Sequence, residues 1–367
     1  MHDISSSIQR PIIAIVSLFS FLLVLSVSTF SVLAIESDTL TAQSVPEAVV
    51  ADSIDENIEE PLLSTVTMDV DDLLTQMSMA TNTLNYQSTL IVYRPGYEPI
   101  PYLWKHGIKD GQSVELLNEL NGPNARIVRF GNQVSFLNPD MPAHSLQQSH
   151  IHGPFAHNLI RNPELISEAY EVILVGKSRS AGKEAWQLRI VSRDNSRYHY
   201  ILWMDAQSHL PLKLNTLNVK GELIEQVQAT NLQISETLDA DFTQLEQSGM
   251  PQIMHINPPK AFSLNWAINR LPVGMKKVKR DIHRLSITDD VVEYVLLSDG
   301  MVDVSVYLQK ASFAQPDDVL FTKDAVTFLS RVNDALQVSV IGKIPPATAQ
   351  RILQMIESVD APATVNP

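Results

Sequence analysis

Arg197-Tyr198-His199-Tyr200-Ile201-Leu202-Trp203-Met204-Asp205 is the stretch that decides the fold. Alternation puts Tyr198, Tyr200, Leu202 and Met204 on one face of a strand and Ile201 and Trp203 on the other. A strand that is apolar on both sides needs cover twice, from a helix and from more core or an apolar guest. Residues 90–93 are apolar on both sides as well. Working outward, 84–94, 100–108, 125–136, 185–191, 212–219 and 223–234 are short runs rich in Val, Ile, Tyr and Trp, each bounded by turn residues. Gly131-Asn132 and Lys220-Gly221 read as hairpin turns, where glycine tolerates a positive φ. Trp186, Leu188 and Ile190 alternate with Gln187 and Arg189, so their strand has one covered and one wet face. The whole is a long antiparallel sheet over 84–234. Ahead of it, Asp69 and Asp72 resemble a capping box, and Leu73, Leu74 and Met77 give a helix one apolar side.

A polar, irregular stretch at 235–259, with Gly249, Pro251, Pro258 and Pro259, marks a domain boundary. A second sheet follows: 262–268, a turn at Leu271-Pro272-Val273-Gly274, 279–285, a hairpin of 291–297 and 302–309 around Asp299-Gly300, and 338–341. Pro345-Pro346 then introduces a helix on which Ala349, Ile352, Leu353, Ile356 and Val359 recur at helical spacing.

Upstream, Arg10 precedes the apolar run 11–34, which ends in Val32-Leu33-Ala34. This reads as a secretory signal, with an uncleaved anchor as the alternative, since the run is long enough to cross a bilayer. Segment 35–67 carries eight acidic residues and neither Lys nor Arg, which predicts a disordered spacer. The net charge of −14 disfavours a general nucleic-acid binder. With no cysteine in 367 residues, disulfides, thiolate nucleophiles, Cys-ligated zinc and a lipidated mature N-terminus are excluded.

The chain carries no nucleophile elbow, P-loop, dinucleotide fingerprint, zinc-protease helix or paired-carboxylate motif. These absences predict a protein that is no enzyme, with no catalytic residue, no metal and no cofactor. The loop 138–163 holds His144, His150, His152 and His157 among four prolines, and it reads as a polar flap covering something. Arg270, Lys276, Lys277, Lys279, Arg280, His283 and Arg284 form a basic concentration in an acidic chain. It is suited to an acidic partner segment or to lipid phosphates.

These details resemble the RseB/MucB family. The resemblance runs through the opening helix at Leu73-Leu74, the first strand at 86–94, residues 127–139, and a signature read here as Asp194-Asn195-Ser196-Arg197-Tyr198-His199-Tyr200-Ile201-Leu202-Trp203-Met204-Asp205. It continues in Leu210-Pro211-Leu212-Lys213 and Gly221-Glu222-Leu223. Beyond the boundary it includes Trp266, Leu271-Pro272-Val273-Gly274-Met275, Ser298-Asp299-Gly300, Val304-Ser305-Val306 and 340–345 with Thr348-Ala349. Ser88, His199, Ser208-His209 and Lys343-Ile344 depart from the family pattern.

The resemblance implies an α+β chain: a large N-terminal unclosed antiparallel β half-barrel with helices, LolA/LppX-like, plus a smaller C-terminal mixed α/β domain. Its divisions are a signal peptide at 1–34, an acidic linker at 35–68, a lipid-sensing domain at 69–238, an interdomain linker at 239–258, an anti-sigma-factor-binding domain at 259–360 and a tail at 361–367. The implied function is periplasmic: binding the periplasmic domain of an RseA/MucA-like anti-sigma factor, protecting it from regulated proteolysis, and release by lipid A or lipoprotein acyl chains. Arg270, Lys276, Lys277, Lys279, Arg280 and Arg284 are the candidate partner-binding residues. Tyr93, Trp104, Tyr198, Tyr200 and Trp203 are the candidate lipid-binding or cavity-supporting residues. A periplasmic lipid or lipoprotein carrier without a sigma-factor role is the alternative, and a homo-oligomer stays open.

Overall fold

The computed structural model describes residues 69–254, 266–284, 291–311, 318–323, 325–333 and 336–358. The expected signal, acidic linker and C-terminal tail lie outside the described residues. So do parts of the boundary stretch, Val359, and the side chains of His283 and Arg284.

Helix α1 (Val70–Thr83) opens the described chain and buries Leu73, Leu74, Met77 and Ala80. Asp69 caps it by accepting from the Asp71 N–H at 3.2 Å, so the cap is a single side-chain bond rather than the expected box with Asp72. Eleven antiparallel strands follow. They are β1 (Asn85–Tyr93), β2 (Ile100–Lys109), β3 (Gln112–Glu119), β4 (Arg126–Phe130), β5 (Gln133–Leu137), β6 (His144–Gln147), β7 (Tyr170–Ser180), β8 (Lys183–Ser192), β9 (His199–Asp205), β10 (Pro211–Leu217) and β11 (Leu223–Ser235). Their order across the sheet is β6-β5-β4-β3-β2-β1-β11-β10-β9-β8-β7, with β6 and β7 at the edges. The run at 125–136 divides at the expected Gly131-Asn132 turn into a hairpin, β4 and β5, with Gly131 at φ +55°. A short helix, α2 (His157–Arg161), lies in the histidine loop and packs against α1.

Pairing register makes two contrasting rows across this sheet. Leu188, Leu202, Leu214, Val227 and Val92 stand directly opposite one another from β8 to β1, all buried. Such a row is the ordinary apolar face of a sheet. In β1 to β4 the corresponding row is Tyr86, His106, Glu115 and Arg129, equally buried and polar from end to end.

The boundary stretch is not irregular throughout. It contains helix α3 (Ala240–Ser248), capped by Asp239, which accepts from the Asp241 N–H at 2.9 Å. Lys105 on β2 bonds both Asp239 and Asp241 at 2.7 Å, and Phe242 packs among Val114, Leu116 and Val128. Apolar burial of one turn, not composition, makes this segment part of the first sheet's cover.

In the C-terminal half, β13 (Lys276–Arg284), β14 (Val291–Ser298), β15 (Asp303–Lys310), β16 (Asp318–Lys323), β17 (Val326–Asn333) and β18 (Leu336–Gly342) form a sheet in the order β13-β14-β15-β18-β17-β16. Helix α4 (Pro346–Gln354) packs against β17 and β18 through Ala349, Ile352 and Leu353. It stops short of Ile356, expected on the helix, because Ile356–Ser358 is strand β19, paired with β12 (Trp266–Ile268). The fold is mixed α and β, built on two large antiparallel sheets.

Candidate partner and ligand surfaces

The basic residues lie on or just before β13, and most of their charge is already engaged. Arg270 occupies a left-handed turn position at φ +56° and is exposed. Lys276 pairs with Glu168 at 2.8 Å and Lys279 with Asp281 at 2.8 Å. Arg280 lies over the Trp266 ring, 4.9 Å from its centroid, and bonds the buried Glu293 carboxylate at 2.7 Å. The Trp266 indole N–H donates to that same oxygen at 2.7 Å. Arg280 is thus a structural clasp, and Lys277 is the exposed cation of the strand without an ion pair among the described residues.

The five aromatic candidates do not meet in one cavity. Tyr93 is 37% exposed at the end of β1. Trp203 is half-buried, with the Lys213 ammonium 4.7 Å from its ring centroid. Tyr198 and Tyr200 are buried where the two halves meet: the Tyr198 hydroxyl donates to the Ile344 carbonyl (3.2 Å), and the Tyr200 ring meets Tyr170 edge-on at 6.0 Å. Only Trp104 faces the loop, 6.0 Å from Phe155 and 5.4 Å from Tyr86. With Ile151, Phe155, His157 and Ile160 it lines a slot whose free volume is about 10 Å³. His199, a departure from the family pattern, accepts from the Ser192 N–H at 3.2 Å through Nδ1.

Beneath that slot lies a buried network that the sequence reading missed. Arg129 Nε donates to Glu115 at 2.7 Å, and Arg161 from α2 bonds the other oxygen of the same carboxylate. Arg129 also donates to Ser113 Oγ at 2.7 Å. His106 bonds the Leu84 carbonyl and Ser113 Oγ, both at 2.7 Å. A carbonyl only accepts, so Nδ1 carries the proton and Nε2 accepts from the serine. Burial raises the Glu115 carboxyl, but the charges of Arg161 and Arg129 more than offset it and hold it below its ordinary range. Burial, then Arg161, pushes His106 down to about 4.

Above the slot the His150 and His157 rings stack with centroids 3.9 Å apart, and His152 stands 4.8 Å from His150. Burial and the neighbouring histidine hold His150 near 4 and His157 near 3. Among the described residues no group of three or more His, Asp or Glu is arranged to hold a metal.

A second buried arginine joins the halves. Arg197 and Asp299 are fully buried and bonded at 2.7 Å, and Arg197 also donates to the Val273 carbonyl at 2.7 Å, to Asp194 and to Ser196. Tyr170 donates to Asp299 at 3.4 Å, and Thr348 bonds the Ser196 carbonyl. The turns at Gly274 and Gly300, with φ +74° and +87°, press against Ala169 and Leu165. An added Cβ would come within 2.8 Å and 2.7 Å of them.

The MucB/RseB N-terminal domain family matches residues 69–254, and the MucB/RseB C-terminal domain family matches residues 260–357. The chain belongs to the MucB/RseB family. Relatives include the sigma-E factor regulatory protein RseB of Salmonella typhimurium, 28% identical over 78% of this chain and 89% of the relative. The sigma factor AlgU regulatory protein MucB of Pseudomonas aeruginosa is 27% identical over 79% of this chain and 91% of its own. MucB in the complex structure of Pseudomonas aeruginosa MucA/MucB superposes with a TM-score of 0.64 at 26% identity, covering 79% of this chain and 99% of that one. A crystal structure of MucB alone gives 0.54 at 25% identity, over 79% of this chain and 98% of that one. MucB/RseB proteins are periplasmic, non-catalytic sigma-factor regulators.

Proposed function

We propose that this protein acts in the periplasm by holding the periplasmic region of an RseA/MucA-like anti-sigma factor and protecting it from regulated proteolysis. The observation that carries this reading is the match of both halves, over nearly the whole of the relative, to MucB as found with MucA. In support, Lys277 and its neighbours give an acidic chain one basic strand, which favours encounter with an acidic segment. The mechanism is occupancy, not bond chemistry: a flexible segment held against a folded surface is removed from a protease, at the cost of ordering it.

Release is assigned to lipid A or lipoprotein acyl chains entering the N-terminal half, read as an unclosed half-barrel of the LolA/LppX kind at 69–238. The partner-binding domain at 259–360 completes the division; the stretch 239–258 joins the two but begins with α3, which covers the first sheet, and export uses a cleaved signal over 1–34. Each methylene transferred from water gives about 0.8 kcal/mol, so a few can shift a binding equilibrium if the loaded form holds the partner less well. A slot of about 10 Å³ cannot take a chain as it stands, so loading displaces the loop carrying Ile151 and Phe155.

The test is cleavage of the purified anti-sigma periplasmic region by its initiating protease, with and without this protein. The expected result is slowed cleavage, restored by added lipid A. Unchanged cleavage together with extractable acyl ligand would instead favour the carrier.

A further inference from the structure

Strand β13 is an edge of its sheet: it pairs with β14 on one side, and its other side has no strand among the described residues. A groove of about 440 Å³ is lined by Trp266 of β12, by Lys277, Val278, Lys279 and Arg280 of β13, and by Val295 of β14. Trp266 is fixed there by its bond to Glu293 and by the guanidinium over its ring, so the groove has a preformed aromatic wall.

The ladder between β13 and β14 slips between Lys277 and Lys279, which leaves Val278 as a bulged residue without a partner. Its side chain is 61% exposed, an aliphatic group in water between two lysines. Lysines and bulges are ordinary protection for a free edge, but protection alone does not call for an exposed valine. Five of the nine residues of β13 are Lys or Arg and one is acidic, in a chain of net charge −14. Such an edge repels a second copy of itself and admits an acidic strand.

We infer that β13 is a strand-addition site for an extended acidic segment bearing an apolar side chain. The backbone of that segment pairs with the free edge. Its apolar side chain packs against Trp266 and Val278, and its carboxylates face Lys277 and Lys279. Main-chain pairing of this kind binds a segment that has no fold of its own, while the flanking side chains set specificity. A segment so paired has the inward-facing half of its backbone donors and acceptors bonded to β13, and it lies against the sheet instead of in a protease cleft. This rests on the anti-sigma partner proposed above and specifies how that partner is held.

The experiment uses the exported chain and the recombinant periplasmic region of the anti-sigma factor from the same organism. Affinity is measured by calorimetry and backbone protection by amide hydrogen exchange. Amides within 276–284 should exchange at least tenfold more slowly in the complex. Lys277→Glu and Val278→Asp should each weaken binding at least tenfold, with circular dichroism unchanged. Tight binding with unaltered exchange in β13 and wild-type affinity in both variants overturns the strand-addition site while leaving the partner reading intact. Weakened variants without slowed exchange would mean a charge contact only, and also overturn it. Absence of binding by the wild type removes both.

Discussion

Two buried arginine sites in this protein solve the same electrostatic problem in opposite ways. At the seam, one guanidinium, Arg197, meets Asp299 and Asp194, two backbone or hydroxyl acceptors, and no histidine. Under the loop, two guanidiniums, Arg129 and Arg161, share one carboxylate, Glu115, beside a neutral His106 and a Tyr86 hydroxyl with no partner. The first site carries surplus negative charge and saturated donors, the second surplus positive charge and an unused hydroxyl. A buried charge left short of partners is costly, so the second site is the one whose energy a proton or guest can change. The seam is a rivet. The loop site is adjustable.

Removing Glu115 gives the largest expected effect, because it strands two buried cations at once. Glu115→Ala should cost about 5 kcal/mol, at the upper end for breaking a buried pair. The measurement is the urea midpoint. A loss under about 1 kcal/mol would mean that water reaches both arginines, and the contrast would disappear. Arg197→Met should cost about 3–4 kcal/mol, since Asp299 stays buried with its Met301 and Val302 N–H bonds but without its cation. It should also loosen the halves, seen as a larger radius of gyration in solution scattering. An unchanged radius would assign the rigidity to the Gly274 and Gly300 contacts instead.

Acid separates the two sites next. His106, His150 and His157 are held neutral in the fold, with pKa values of about 4, 4 and 3 against 6.5 for a free imidazole. Between those limits the unfolded chain binds more protons, so stability falls as pH drops from 6.5 toward 4. For the fully buried His106 the loss is about 3 kcal/mol. Around His150, burial, His152 and Arg129 outweigh Asp303 and Glu115; around His157, burial, His150, Arg161 and Arg129 outweigh Glu115. Acid should therefore loosen the loop before the seam, read as hydrogen exchange in 144–161 rising ahead of exchange in 194–200. Simultaneous loosening would argue that the loop has no separate stability.

The strands were legible where alternation or a turn residue marked them: 198–204, 223–234 and the hairpin at Asp299-Gly300 each correspond to observed elements. Strand β3 was not, because Glu115 interrupts its apolar run and only register shows that the glutamate faces His106 and Arg129. An isolated acid between Val114 and Leu116 was the available signal. Register is a property of pairs of strands, so the polar row could not be read from any one of them. The same holds for Arg197, which stood in the signature yet whose partner, Asp299, lies 102 residues away. The basic strand was visible as composition, but its bulge, and hence the exposed Val278, was not.

The smallest effect sharpens the contrast most cheaply. Lys276 and Glu168 also bridge the two halves, at 2.8 Å, but both side chains are more than half exposed. Water and salt screen such a pair, and holding two long side chains in one geometry consumes much of the attraction. Lys276→Gln should therefore change stability by less than about 0.5 kcal/mol at physiological salt. A double-mutant cycle with Glu168→Gln should return a coupling within that limit, while the cycle of Arg197→Met with Asp299→Leu should return several-fold more. If the exposed pair coupled as strongly as the buried one, desolvation would not be what distinguishes the seam. The rivet would then be a matter of position rather than burial.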